Sequence, residues 1–160
     1  YINAMIRDRK IDKYYLALVV GKFPQHLVID KPLARSYDKK FDRSHVKVDY
    51  REWLESKTEC RLEKSFIHPI IGPLSLVRIK IYTWRMHQIR VHINHEWYPI
   101  LGDVMYGNLA INRILYQSLG INRQLLHCRK YSFFDPFSAH TIFLESPLPE
   151  DFQQLLSGKK

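Results

Sequence analysis

Between Thr58 and Tyr82 the chain alternates in polarity twice, with a stiff turn between the two runs, and few folds accept that pattern. Thr58, Cys60 and Leu62 fall on one side of an extended segment, and Glu59, Arg61 and Glu63 on the other. Leu74 to Tyr82 repeats the alternation, with Val77, Ile79 and Ile81 opposed to Arg78 and Lys80. Side chains of a strand project to alternate faces, so a period of two gives each segment one apolar and one wet face. His68 to Pro73, rich in proline and glycine, is the turn that joins them. The two runs are therefore expected to form an antiparallel pair, solvated on one face, whose apolar face needs a covering layer.

The flanking segments can supply that layer. Lys13 to Val20 (KYYLALVV) reads as a strand stopped by Gly21, and Gln25 to Asp30 as a shorter one ended before Pro32. Ile2 to Arg9 resembles the end of a helix. Ser36 to Lys47 carries Lys39, Lys40, Arg43 and Lys47 among few apolar residues and reads as an exposed basic loop. From Arg85 to Glu96 the period becomes helical: Met86, Ile89 and Ile93 make one apolar stripe, and His87, Arg90 and Asn94 lie beside it. Leu109 to Ser118 is a second helix ended by Gly120, and Arg129 to Phe134 with Thr141 to Glu145 a closing strand pair. Pro149 opens a last short helix, Glu150 to Leu156, with its acids at the positive end. These elements predict an α+β fold, a largely antiparallel mixed sheet with flanking helices, as a single domain over residues 1–160.

Charge narrows the choice of partner. Lysine and arginine number 25 against 16 acids, for a formal net charge of +9. Such a field favours polyanions through counterion release, nucleic acid being the commonest soluble one; solvated surface lysines are the other reading. The longest apolar run, Leu16 to Val20, is far too short to cross a bilayer, and Tyr1 to Lys10 contains no secretory core. Two cysteines, Cys60 and Cys128, are too few for a disulfide framework or a four-cysteine zinc site, and each sits in an apolar run. Buried thiols in a reducing cytosol are expected, hence a cytoplasmic location, or an organellar one in a eukaryote.

The stretch Thr83 to Tyr106 (TWRMHQIRVHINHEWYPILGDVMY) carries most of the chemistry. A strand ends at Tyr82, and after a sharp entry a helix begins near Arg85 with Arg90 inside it. An arginine beside an apolar stripe is partly desolvated and seeks a carboxylate or phosphate, although a surface arginine covering the sheet has the same pattern.

Thr83 to His92 resembles the T-G-R-x-H-Q-[IL]-R-V-H signature of RluA-type RNA pseudouridine synthases, followed by P-I-L-G-D at Pro99 to Asp103 and Y-G at Tyr106-Gly107. Upstream, Arg9, Ile11, Lys13, Tyr15, Ala17, Leu18, Val19 and Gly21 are similar to R-x-[IV]-x-K-x-Y-x-A-L-V-x-G. Downstream, Leu126-His127 with Phe133 and Pro136 is similar to L-H-A with its trailing F-x-x-P, and Pro147-Leu148-Pro149 with Asp151-Phe152 to P-L-P-x-D-F. The matches keep the family's order from Arg9 to Phe152. The resemblance implies an enzyme that flips a uridine out of structured ribosomal or transfer RNA and isomerises it to pseudouridine without cofactor or metal. It implies Tyr15 as the tyrosine against the flipped base and Arg90 as the arginine that holds the nucleophilic aspartate ionised, and it suggests Arg85, His87 and Gln88 as RNA contacts. Strand alternation puts Tyr14 on the face opposite Tyr15.

This sequence departs from the pattern in three places. Trp84 stands where the family has glycine, so the turn into the helix must tolerate a bulky ring, which could add a stacking surface or reshape the substrate groove. Cys128 replaces an alanine. The H-R-L-D-x-x-T-S-G segment that carries the family's aspartate does not occur, and neither Asp42 nor Asp103 lies in that context. No nucleophile is assigned; an upstream segment is expected to supply it, and the chain by itself is expected to be inactive. Three other readings compete. One is a non-catalytic RNA-binding module of the same fold, and another an inert domain with a chance basic surface. The third is a metal site from His87, His92 and His95, which suffers because His87 should point away from the other two.

Overall fold

The computed structural model describes Met5 and residues 10–38, 43–51 and 54–158. Six strands form one sheet: β1 (Ile11–Val20), β2 (His26–Asp30), β5 (Lys57–His68), β6 (Gly72–Ile81), β7 (Leu126–Asp135) and β8 (His140–Glu145). Their order is β2-β5-β6-β1-β7-β8, and every strand pairing among the described residues is antiparallel. The alternating pair of the sequence is β5 and β6, in register from Thr58 against Ile81 to His68 against Gly72, with one irregularity between Leu62 and Lys64. The helix expected over Ile2 to Arg9 lies outside the described residues, Met5 apart.

Alternation along β1 builds two cores. Ala17 and Val19 face one way, into a cluster with Val77, Ile79, Cys60 and the helical residues Ile89 and Ile93, against which Tyr15 is packed. Leu18 faces the other way with Leu74, under Leu115, Phe152 and Leu155. Helix α1 (Gln88–His95) covers the first face; α2 (Leu109–Leu119) and α3 (Glu150–Ser157) cover part of the second. Asn108 caps α2 by accepting from Ile111 N–H, and Gly120 ends it in the left-handed conformation.

Two expectations need correction. The segment read as a basic loop is a two-stranded hairpin, β3 (Leu33–Asp38) with β4 (Arg43–Val48), its tip outside the described residues. Its few apolar residues suffice because two of them, Leu33 and Val46, are buried against Val91 of α1. Helix α1 begins at Gln88, not at Arg85. His87 has φ 54, a left-handed residue that stops the helix from extending backwards. Met86 consequently leaves the Ile89–Ile93 stripe and packs with the hairpin cluster instead.

Candidate active site

Arg90 lies on α1, the helix that covers the first face of the sheet, and the structure gives its guanidinium a partner within this chain. Nε donates to Oδ2 of Asp103 at 2.7 Å and Nη2 to Oδ1 at 2.7 Å, a two-pronged ion pair. Asp103 is 1% exposed and also accepts from the N–H groups of Met105 and Tyr106. Burial pushes its carboxyl pKa up, but the Arg90 guanidinium and the two backbone donors outweigh that and hold it below the usual carboxylate range. The Tyr106 ring lies 4.9 Å from the guanidinium carbon, so charge and π face together fix the side chain. Tyr106 is fixed in turn: its hydroxyl accepts from Val46 N–H at 2.9 Å and lies 3.0 Å from Nδ1 of His87.

The Pro99–Gly107 segment is built to deliver Asp103 to that position. Val20 N–H donates to Pro99 C=O and Leu101 N–H to Leu18 C=O, which ties the segment to the end of β1. Ile100 and Leu101 are then buried in the two different cores. Gly102 sits at φ 79, where a Cβ would lie 2.0 Å from the Arg123 carbonyl oxygen. Asn112 of α2 accepts from Gly102 N–H and donates to Asp103 C=O, pinning the turn from the far side. At Gly107 a Cβ would meet the Asp103 carbonyl oxygen at 2.3 Å, so the turn closes only over glycine. Sequence reasoning placed Asp103 inside a motif but gave it no task; an acid thirteen residues beyond an arginine carries no periodic signal.

An arginine offers five N–H donors in a rigid fork. Asp103 takes the edge formed by Nε and Nη2, so the second Nη2 proton and both Nη1 protons have no acceptor among the described residues. That leaves the Nη1–Nη2 edge able to hold a second carboxylate. Asp103 itself is a poor nucleophile, because its oxygens are engaged and its side chain is closed to solvent.

Tyr15 occupies the same face, where the β1–β7 pairing is irregular: Tyr14 pairs with Lys130 but Tyr15 with Cys128, which leaves Arg129 as an extra residue of β7. The bulge therefore bends β7 opposite the residue expected to meet the base. Tyr15 lies against Cys128 and Tyr131; burial first, then those neighbours, raise its phenol pKa, so it stays protonated at neutral pH. Tyr14 faces the opposite side, opposed to Lys80, as alternation requires. Burial pushes the Cys60 thiol up to about 12, whereas Cys128 is only half-buried.

The three residues expected to touch RNA separate. Arg85 stays near the surface, its Nε donating to Glu55 C=O, and His87 is half-buried beside Tyr106. Burial, then the charge of Arg90, lower the His87 pKa and keep its ring neutral. Gln88 differs from the expectation, being 3% exposed. Its Oε1 accepts from the Thr83 hydroxyl and from Arg85 N–H, and its Nε2 donates to Lys57 C=O and the Thr58 hydroxyl. The amide closes the turn between β6 and α1, which is where the helical period misled. Gln88→Leu should cost about 1–3 kcal/mol for each buried partner left unpaired, read as a lower urea midpoint, while affinity for RNA changes little.

His92 is likewise committed to the fold, with Nδ1 on the Thr58 hydroxyl at 2.8 Å and Nε2 on Lys31 C=O at 2.9 Å. Neither nitrogen is free to ligate a metal, and no group of three or more metal-ligating side chains occurs among the described residues. Nor is any helix among them long and apolar enough to cross a membrane.

Comparisons with known proteins converge on one family. The profile of the RNA pseudouridylate synthase family matches residues 1–95. Ribosomal large subunit pseudouridine synthase C of Buchnera aphidicola subsp. Baizongia pistaciae is 35% identical over 158 residues, 98% of this chain and 48% of that protein. The tRNA pseudouridine synthase C of Haemophilus ducreyi is 30% identical over 98% of this chain and 65% of its own length. The chain thus spans between about half and two thirds of these relatives. Among solved structures, human RNA pseudouridylate synthase domain containing 1 superposes with a TM-score of 0.74 at 21% identity, over 91% of this chain and 58% of that one, which establishes the fold. With the profile covering more than half of its residues and relatives matching nearly its full length, the chain belongs to the RNA pseudouridylate synthase family.

Proposed function

We propose that the protein carrying this chain isomerises uridine to pseudouridine in ribosomal or transfer RNA, with Tyr15 and Arg90 at the reacting centre. The observation that carries this reading is the half-used guanidinium of Arg90. Its inner edge is fixed by Asp103, and its outer edge keeps three N–H donors for a second carboxylate. In this reading an aspartate from another segment of the protein docks there and is held ionised against partial burial. Helix α1, which carries Arg90, packs through Ile89 and Ile93 in the same cluster as Tyr15, and this supports assigning the phenol and the guanidinium to one site. A flipped uridine would stack on that ring. Arg85 and His87 are proposed to meet the RNA around it, with the net charge of +9 supplying long-range attraction.

The test uses the protein expressed from its whole gene, incubated with transcripts of ribosomal and transfer RNA, with pseudouridine read by primer extension after carbodiimide treatment. Conversion is expected with no added metal or cofactor. The 160-residue chain alone should bind RNA with a steep salt dependence and convert none. Conversion by the isolated chain would place the nucleophile within it and overturn the assignment; binding without conversion by the whole protein would favour a non-catalytic RNA-binding module. Tyr15→Phe keeps the ring, so it should retain RNA affinity while slowing turnover about a hundredfold if the hydroxyl moves a proton. Normal turnover in that variant leaves Tyr15 a stacking role only.

A further inference from the structure

Lys13 is 5% exposed, yet among the described residues its ammonium has neither an ion pair nor a hydrogen bond. Its neighbours are aromatic faces. Nζ lies 3.3 Å from the centroid of Trp84 and 5.2 Å from that of Tyr131. A lysine so enclosed is desolvated, and the indole quadrupole is what compensates it. The indole is 54% exposed, although one of its faces is closed by the ammonium. The open area therefore belongs to the other face and the ring edge. A cavity of about 140 Å³ opens at this place, lined by Lys13, Lys80, Tyr82, Thr83 and Trp84 among others.

Lys13 and Tyr15 are two residues apart on one face of β1, a separation of about 7 Å. Trp84, held over Lys13, thus lies beside the β1 position two residues before the ring proposed to receive the target uridine. We propose that Trp84, backed by Lys13, is a stacking platform for an unpaired nucleobase of the RNA next to the target uridine. This rests on the RNA-modifying function proposed above. It adds to that function a contact that a glycine at this position could not make, and so a local preference for an unstacked neighbour, with the larger face of a purine giving the larger overlap. Lys13 acts through the ring: the cation on the inner face fixes the indole and draws its π density inward, leaving the outer face a better partner for an electron-rich base.

The test is an abasic scan. The chain is titrated by fluorescence anisotropy with a single-stranded RNA heptamer centred on uridine, each flanking base in turn replaced by an abasic ribose. One position beside the uridine should weaken wild-type binding by roughly five- to a hundredfold when its base is removed. Trp84→Gly and Trp84→Leu should lose that amount with the intact heptamer and become indifferent to the base at that position; Trp84→Phe should keep most of both. Lys13→Met should weaken binding at the same position without changing the salt slope. A slope reduced by about 0.7 would instead put Lys13 on a phosphate and overturn its role behind the ring. If Trp84→Leu shows the wild-type scan while RNA still binds with its salt dependence, the platform is refuted and the wider function stands. If the wild-type chain has no salt-dependent affinity for RNA, both fall.

Discussion

Arg90→Met is expected to remove about 3–5 kcal/mol of folding stability, because it strands a carboxylate that is 1% exposed. The pH dependence identifies the cause. In the wild type, Asp103 has a folded pKa below its unfolded value, so its contribution is present above the unfolded value, near 3.9, and is lost as the pH falls through the folded one. Without the guanidinium, burial, the largest influence on this group, pushes the folded pKa up relative to the wild type. The difference in stability between the two proteins must therefore be greatest near neutral pH and shrink as the pH is lowered and Asp103 becomes protonated. Urea melts at several pH values would show it; a difference that stays constant down to the unfolded carboxylate range would mean that lost packing, not the ion pair, sets the cost. In the whole protein the same substitution should reduce pseudouridine formation roughly a thousandfold, since the outer N–H donors vanish with the inner ones. RNA affinity should fall only modestly, as one cation among 25 lysines and arginines is lost. Retained turnover would remove Arg90 from the reacting centre.

That prediction depends on a contact only half visible in the sequence. The sheet was legible because polarity alternates in β5 and β6, and the residues that alternate pair as the pattern requires, Cys60 with Ile79 and Leu62 with Val77. The cap of α2 was legible at its end, where Gly120 supplies a left-handed residue. Hairpin β3–β4 was not. Its sequence is dominated by charged and polar residues, and the burial of Val46 against α1 is a tertiary fact that local composition does not encode. The start of α1 was misplaced for a related reason: Met86 and His87 continue a period of 3.6, but the Gln88 amide holds Arg85 N–H and Thr83 outside the helix. The sequence singled out Tyr15 and Arg90 through motif resemblance; Tyr15 lies on the face covered by α1, and Arg90 is a residue of that helix. It did not supply Asp103 as the partner of Arg90, because that ion pair is set by a buried turn, where glycine and asparagine contacts fix the backbone.

Glycine at position 102 should prove the least replaceable residue of that turn. Gly102→Ala is expected to cost more than about 4 kcal/mol, enough to leave a small domain largely unfolded. Two effects combine. The backbone at φ 79 strains any L-residue by about 1–2 kcal/mol, and the new Cβ would lie 2.0 Å from the carbonyl oxygen and 2.8 Å from the carbonyl carbon of Arg123, backbone atoms that cannot swing aside. Gly120 separates the two, because at φ 69 a Cβ there would have nothing within 4 Å. Gly120→Ala should therefore show the conformational cost alone, about 1–2 kcal/mol. Parallel urea titrations of the two variants would measure the difference directly. Equal losses would mean that the close approach of Gly102 to Arg123 relaxes without cost; a much larger loss at Gly102 would establish that the chain must pass within van der Waals contact of the residue 123 backbone. Only that path lets Asn112 hold Gly102 N–H and Asp103 C=O and turn the Asp103 carboxylate under Arg90.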